Sequence, residues 1–102
     1  MQNKAWEISD FVKQCHKTAK EKGWWDNERN DGELIALMHS ELSELLEAMR
    51  NGGSKDDVAE ELADCCIRIF DYCGARDIDL DGALRKKMEY NKGRPHRHGK
   101  KF

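Results

Sequence analysis

The chain has 102 residues, the length of one small domain, and we expect residues 1–102 to form a single unit. Charged residues make up 37% of it and hydrophobic residues 38%, with one proline, and this balance argues against disorder. No apolar run approaches the ~20 residues of a membrane span, and the opening MQNKAWEISD lacks the basic and apolar parts of a signal peptide. We therefore expect a cytoplasmic protein without a membrane partner.

Four helices are predicted in chain order without any strand pattern between them, so the predicted fold class is all-α. Gly23 suits the residue after the first helix, and a double glycine suits the turn after the second. Ser54 and Asp57 indicate a capping box that begins the third helix, and Gly74 is expected to end it. The predicted helices span about 5–22, 32–50, 55–73 and 80–91, and an extended tail follows over 94–102.

The third helix has apolar residues around much of its circumference, which predicts contacts on more than one side. The four cysteines of the chain lack the CxxC spacing of a zinc site, so buried cytosolic thiols are the better interpretation than a zinc site or a disulfide frame. The side chains that we expect to be buried on this helix are Val58, Leu62, Cys65, Cys66, Ile69 and Phe70.

Two pairs of acidic residues, each spaced i,i+3, lie on either side of the predicted turn at Gly52-Gly53. Residues three apart share a helix face, and in a hairpin Glu41 would face Asp64 while Glu44 would face Glu61. Four converging carboxylates raise each other's pKa unless a cation is present. Mg²⁺ and Mn²⁺ prefer such oxygen ligands. The pattern therefore predicts a divalent metal site formed by all four acids.

Two other arrangements could account for these acids. A solvated acidic face explains most single ExxE motifs, but two pairs in mirrored register without lysine partners are far less common. A di-iron carboxylate bundle requires Glu-x-x-His on two helices. Lys13 and Ala36 stand three residues before His16 and His39, and the third helix contains no histidine, so the di-iron alternative is excluded.

At these residues the chain resembles a known family. ExxE, a spacer of 16 residues and then ExxD is similar to the signature of the MazG-like, all-α nucleoside triphosphate pyrophosphohydrolases. Relatives of that family include the dimeric dUTPases, the dCTP pyrophosphatases and the phosphoribosyl-ATP pyrophosphohydrolases. The segments LIALMHSELSELLEAMR, VAEELADCCIRIFDYCGARDIDL and KMEYNKGRPHRHGKKF are similar too, so the resemblance covers about 23–102.

The resemblance implies a hydrolase that cuts between the α- and β-phosphates of a nucleotide. It implies that Mg²⁺, with Mn²⁺ as a substitute, is held by Glu41, Glu44, Glu61 and Asp64. It also implies a helical bundle built by a homodimer or by a dimer of dimers, with active sites near the subunit contacts. Many members have a further glutamate directly before ExxE, where this chain has Ser40, so the ligand count supports one ion better than several.

A basic C-terminal tail is the predicted counterpart of the metal site. Residues 92–102 carry five Lys or Arg and no acid, although the whole chain has a net charge of −2. A solvated tail is the alternative, and binding to nucleic acid is disfavoured because no stacking pattern interleaves the charges. Arg forks and Lys point charges both bind phosphate oxygens. The positions to which the resemblance assigns phosphate binding are Lys87, Asn91, Arg94, Lys100 and Lys101.

Two tryptophans, Trp24 and Trp25, open the loop before the acidic helix. A nucleotide base can stack on an indole, so we expect one of the two to contact the base. The other would pack on the core or on a second subunit.

The sequence therefore predicts Mg²⁺-dependent hydrolysis of (deoxy)nucleoside triphosphates to a monophosphate and pyrophosphate, in a role such as nucleotide-pool cleansing. One of the four carboxylates would act as the general base. Two alternatives stay open: a biosynthetic enzyme of the phosphoribosyl-ATP pyrophosphohydrolase type, and a non-catalytic helical module that binds metal or a partner through the same acids.

Overall fold

The computed structural model describes residues 5–102, and within this range it is helical and contains no strand, as predicted. Each predicted helix is present, with ends that differ from the prediction by at most three residues. No helix in this range combines the length and the apolar character needed to cross a membrane. The helices are α1 (Ile8–Glu21), α2 (Asp31–Arg50), α3 (Lys55–Ala75) and α4 (Leu80–Lys92), and a single helical turn follows at His96–Gly99.

Two glycines form the turn between α2 and α3, one because of its backbone conformation and the other because a side chain would not fit. Gly52 has a φ of +74°, the left-handed conformation that ends many helices and that glycine adopts without strain. Gly53 donates its N–H to the carbonyl oxygen of Ala48 over 2.8 Å. A Cβ at Gly53 would lie 2.7 Å from that same oxygen, so the turn requires a residue without a side chain there.

Two other predicted helix ends are confirmed. Gly23 has a φ of +88° after α1, and the next residue, Trp24, donates its N–H to the carbonyl oxygen of Ala19 over 3.0 Å. At the start of α3, the Ser54 hydroxyl accepts from the Asp57 N–H at 3.1 Å, and the Asp57 carboxylate accepts from the Ser54 N–H at 2.9 Å. These reciprocal bonds satisfy backbone donors that a helix start leaves unpaired.

The prediction that Gly74 ends α3 was wrong. The helix continues through Ala75, and Asp77 is the residue that adopts the left-handed conformation, with a φ of 54°. Gly74 instead lies where α1 crosses α3, because a Cβ there would lie 2.6 Å from the Cβ of His16. A glycine inside a helix can thus mark a close helix crossing as readily as a helix end.

The tail after α4 is not extended throughout, contrary to the prediction. Arg97 and His98 both have a φ of 54°, so the chain turns at His96–Gly99. The His98 N–H donates to the Pro95 carbonyl oxygen over 2.7 Å, and the Arg97 guanidinium donates to the Lys101 carbonyl oxygen. The turn is held by these local bonds, and its residues are exposed.

α3 is the central helix: it packs against α1 on one side and α2 on the other, while α4 contacts α1. Trp6, Phe11 and Phe70 join α1 to α3 through aromatic contacts of 5.0 and 6.2 Å between ring centroids. Within residues 5–102, however, no large side chain is completely buried, and the buried apolar residues are Val12, Leu34, Cys65 and Cys73.

Much of α3 is less buried than its apolar composition predicted. Cys65 is buried as expected, whereas Leu62 and Ile69 are 46% and 37% exposed and Cys66 is also exposed. A helix that is apolar on most sides needs neighbours on most sides, and one chain supplies α1 and α2 only. The same applies to α2, where Leu42, Leu46 and Met49 are each more than half exposed.

The isolated chain is also more open than a typical domain of its mass. Its accessible surface is 8321 Å², compared with about 5,900 Å² expected for a folded monomer of 11.8 kDa. Its radius of gyration is 16.3 Å, compared with about 13 Å expected for this length. The difference in surface is about 2,400 Å² per chain, or about 4,800 Å² for two chains, which lies within the total that obligate homodimer interfaces bury.

We expect Gly53→Ala to destabilise the chain by about 1–3 kcal/mol, because its methyl group would collide with the Ala48 carbonyl oxygen that accepts the Gly53 N–H. The midpoint of thermal unfolding should fall by roughly 4–8 °C per kcal/mol. Gly93→Ala is the matched control, since a Cβ at Gly93 meets nothing closer than 3.8 Å. Equal melting temperatures for the two variants would contradict the role given to Gly53.

Candidate metal centre

Three of the four predicted ligands converge on the surface between α2 and α3. One carboxylate oxygen from each of Glu41, Glu61 and Asp64 lies within 4.8 Å of the other two. Around an octahedral Mg²⁺ ion with bonds of about 2.1 Å, neighbouring ligands are ~3.0 Å apart and opposite ligands are ~4.2 Å apart, so side-chain movements of about 1–2 Å would close the three oxygens around one ion. Carboxylates are also the ligand type that Mg²⁺ and Mn²⁺ prefer. The residues present therefore fit such an ion.

The fourth predicted ligand, Glu44, is exposed and lies outside this group. It is one helical turn closer to Gly52-Gly53 than Glu41. Ser40, which stands where many similar sequences have a glutamate, donates its hydroxyl to the Leu37 carbonyl oxygen over 2.7 Å. The hydrogen of its hydroxyl is thus used within its own helix, and a hydroxyl carries no charge to replace that of a glutamate. The group brought together by the fold has three carboxylates rather than four.

The surroundings of Glu61 shift the pKa of this acid. Partial desolvation raises the pKa of Glu61 above its ordinary 4.5, and the neighbouring charges of Asp64, Glu44 and Glu41 raise it further. A divalent cation among these oxygens would favour the charged form and reverse the shift. The repulsion that the sequence predicted between the acidic pairs is therefore present at this residue.

Arg68 is a functional candidate that sequence reasoning missed. Its Nε donates to Glu41 Oε1 over 3.1 Å, and both side chains are largely buried. Its guanidinium carbon also lies 5.1 Å from the centre of the Trp24 ring, within the range of a cation–π contact. The spacing in the sequence could have identified it, because Arg68 follows Asp64 by four residues and the two therefore share one face of α3.

A cavity of 330 Å³ adjoins the carboxylates, within the size range of small-molecule sites. Apolar side chains such as Cys15, Ala19 and Ile67 form part of its wall, and charged groups lie among them. The wall holds three acids and two bases, so a ligand with a flat apolar part and an anionic end would suit it only together with a cation. The polar, charged and aromatic residues of the wall that concern the site are Gln14, Thr18, Trp24, Glu41, Asp64 and Arg68.

The structure separates the two loop tryptophans. Trp24 is 49% exposed and lines the cavity. Trp25 is half-buried and donates its Nε1–H to both oxygens of Asp71, at 2.9 and 3.2 Å. His16 Nδ1 lies 2.8 Å from the same carboxylate, and Arg76 lies over the Trp25 ring. Trp25 thus anchors the loop to α1 and α3. Trp24 is the indole that borders the cavity, with the guanidinium groups of Arg29 and Arg68 at its ring.

The predicted phosphate-binding residues are not brought to the acids of their own chain. Lys87 and Arg94 lie 4.9 and 5.4 Å from the centre of the Tyr90 ring. Lys100 and Lys101 are exposed in the tail. Within residues 5–102, no hydrogen bond or ion pair links these cations to the carboxylate group, and none of them lines the 330 Å³ cavity.

Asn91, also predicted to bind phosphate, has a buried Oδ1 without a hydrogen-bond partner among the described residues. An amide oxygen accepts hydrogen bonds and does not bind a phosphate oxygen. Rotating the amide by half a turn, which exchanges its O and N, would present the donor that phosphate needs. In either orientation of the amide, Asn91 presents a buried polar atom that no residue in 5–102 satisfies in this structure.

Compared with known proteins, the chain matches no family model, no curated protein and no solved structure. The assignment of function consequently rests on the residues and their geometry.

Proposed function

We propose that this chain is a Mg²⁺-dependent, MazG-like nucleoside triphosphate pyrophosphohydrolase. The observation that carries the proposal is the convergence of Glu41, Glu61 and Asp64 beside a cavity that Glu41 and Asp64 themselves line. A metal-bound triphosphate needs an ion site and, next to it, room for a nucleoside. The acids and the cavity supply these two parts in one place.

The carboxylates have distinct roles in this proposal. Glu41, Glu61 and Asp64 hold the ion, which supplies charge neutralisation at the phosphoryl oxygens and a more acidic bound water. Glu44 lies outside the ligand group and is the carboxylate left to accept a proton from the attacking water. Attack at the α-phosphorus then releases pyrophosphate and a nucleoside monophosphate.

The cavity takes the nucleoside in this proposal. Trp24 offers an exposed indole on which a base can stack. Gln14 and Thr18 supply polar groups on the α1 side of the cavity, where the Gln14 amide donates to the Thr18 hydroxyl over 3.3 Å. Exchanging that weak mutual bond for bonds to a ligand would cost little. Canonical or altered deoxynucleotides are the proposed substrates, consistent with cleansing of the nucleotide pool.

A second copy of the chain completes the assembly in this proposal. The exposed apolar residues of α2 and α3, together with the large surface of the single chain, support a homodimer or a dimer of dimers. The basic residues of α4 and the tail would then reach the phosphates across a subunit contact. That arrangement would also give Asn91 a partner.

A non-catalytic helical module is the second candidate, and the Arg68–Glu41 ion pair favours it. An acidic face whose charge is partly compensated within the chain can persist without a metal. Such a module would bind a partner or a structural ion through the same acids. A biosynthetic hydrolase of the phosphoribosyl-ATP type is distinguished from the leading proposal by substrate alone.

The direct test is a panel of deoxynucleoside and ribonucleoside triphosphates, together with phosphoribosyl-ATP, incubated with the protein and Mg²⁺. We expect pyrophosphate and the monophosphate in equal amounts, and no turnover when EDTA removes the metal. Release of orthophosphate instead would indicate cleavage at the terminal phosphate. If no member of the panel yields pyrophosphate, the proposed reaction is wrong.

A further inference from the structure

Arg68 occupies a position between the two halves of the candidate site. Its side chain is 27% exposed, and that of its partner Glu41 is 15% exposed, so the ion pair is partly shielded from water. Both residues line the cavity, together with Asp64. In the described part of the chain, Arg68 is therefore the cation that forms an ion pair with the carboxylate group.

The contacts of Arg68 leave most of its binding capacity unused. Only Nε donates a hydrogen bond, and within residues 5–102 the two terminal amino groups have no hydrogen-bond partner. The guanidinium carbon is held 5.1 Å from the centre of the Trp24 ring. A guanidinium presents five N–H donors in a fixed fork that matches phosphate oxygens. Four of these five donors are available to a ligand in the cavity.

A divalent ion and Arg68 compete for Glu41. Glu41 belongs to the carboxylate group whose oxygens lie within 4.8 Å of one another, and the same residue accepts from Arg68. An ion held there would repel the guanidinium at short range in a partly desolvated place. A triphosphate bound to the ion brings negative charge into the cavity, where the free amino groups of Arg68 lie.

We propose that Arg68 is a resident counter-ion of the carboxylate group that transfers to the phosphates when the metal–nucleotide complex binds. In the free protein it neutralises Glu41 and weakens the binding of a bare divalent ion. In the complex it binds phosphate oxygens, with Trp24 keeping it near the site. The protein thereby favours Mg²⁺ that arrives with a triphosphate over Mg²⁺ alone. This inference rests on the proposed function.

The test compares wild-type protein with Arg68→Gln and Arg68→Lys in two binding measurements. Mn²⁺ alone is titrated by electron paramagnetic resonance, and the Mg²⁺ complex of an α,β-imido deoxynucleoside triphosphate, which resists hydrolysis, is titrated by calorimetry. We expect Arg68→Gln to bind bare Mn²⁺ about tenfold more tightly and the nucleotide complex about tenfold more weakly, the effect of losing one charge-assisted hydrogen bond. Arg68→Lys keeps the positive charge but loses the forked arrangement of N–H donors. Its affinity for the nucleotide complex should therefore fall, and its affinity for bare Mn²⁺ should change little.

Arg85→Gln is the matched control, because Arg85 makes the same kind of Nε contact with Asp81, at 2.6 Å, on α4. It should leave both affinities unchanged, and circular dichroism checks that each variant folds. Equal Mn²⁺ affinities of wild type and Arg68→Gln would overturn the inference while leaving the metal site intact. Absence of Mn²⁺ binding from both proteins would overturn the inference and the proposed metal-dependent function together.

Discussion

Asp64→Asn should reduce pyrophosphate release by about 10³-fold while the helical fold is retained. Removal of one ligand takes away several kcal/mol of transition-state stabilisation, and about 4 kcal/mol corresponds to a factor of 10³ in rate. The fold should persist because Asp64 is exposed and forms no ion pair among the described residues. The measurements are kcat with saturating nucleotide and Mg²⁺, and the helical signal in circular dichroism.

Glu60→Gln is the matched control for Asp64→Asn, since Glu60 is an exposed acid on the same helix but outside the carboxylate group. It should retain most of the activity. A non-catalytic module would behave differently, because Asp64→Asn would then lower the Mg²⁺-dependent melting temperature and no reaction would be lost. An Asp64→Asn variant with full turnover would exclude Asp64 as a ligand.

Asp64→Asn should also change the pH dependence of stability in metal-free buffer. The folded state raises the pKa of Glu61. The contribution of Glu61 to the free energy of unfolding is therefore fully present below the ordinary pKa of 4.5, and it is lost as pH rises through the raised pKa. The wild-type melting temperature should therefore fall over this window. Asp64→Asn removes the largest neighbouring charge acting on Glu61, so the fall should be smaller, and Mg²⁺ should diminish it in the wild type.

Leu46→Glu should convert the proposed homo-oligomer to single chains of 11.8 kDa. Leu46 is 56% exposed on α2, beside Leu42 and Met49 on the same apolar surface. Burying an unpaired carboxylate in a subunit contact costs several kcal/mol, and about 3 kcal/mol weakens association by roughly 100-fold. The molar masses of the variant and the wild type are measured by light scattering at micromolar concentration. The wild type is expected at two or four times the mass of one chain.

Met88→Glu is the control for Leu46→Glu, because Met88 is an apolar residue that is 64% exposed and lies on α4, away from the apolar surface of α2 and α3. It should leave the mass of the assembly unchanged. A wild-type mass of 11.8 kDa at every concentration would contradict the homo-oligomer and would leave the apolar surface of α2 and α3 to another partner. In that case the basic residues of α4 could not reach the acids of a second chain.

Features decided within a few residues were predictable from the sequence. The capping box of Ser54 and Asp57 and the turn at Gly52-Gly53 depend on neighbouring backbone groups, so residue type and spacing were enough to predict them. The same use of residue type and spacing gave the wrong role for Gly74. A glycine inside an apolar helix suggests a helix end, and only the position of α1 shows that it permits a close crossing.

The sequence by itself determined the helices and the hairpin, and it placed the two acidic pairs on facing sides of that hairpin. Periodicity and local hydrogen bonding carry that information. Only the tertiary structure decided that Glu44 stands apart from the other three acids, that Arg68 pairs with Glu41, and that Trp24 borders the cavity. The first two of these contacts depend on how α2 packs against α3, and the third depends on how α1 and the tryptophan loop cross α3. Side-chain positions between helices are set by this packing rather than by sequence spacing.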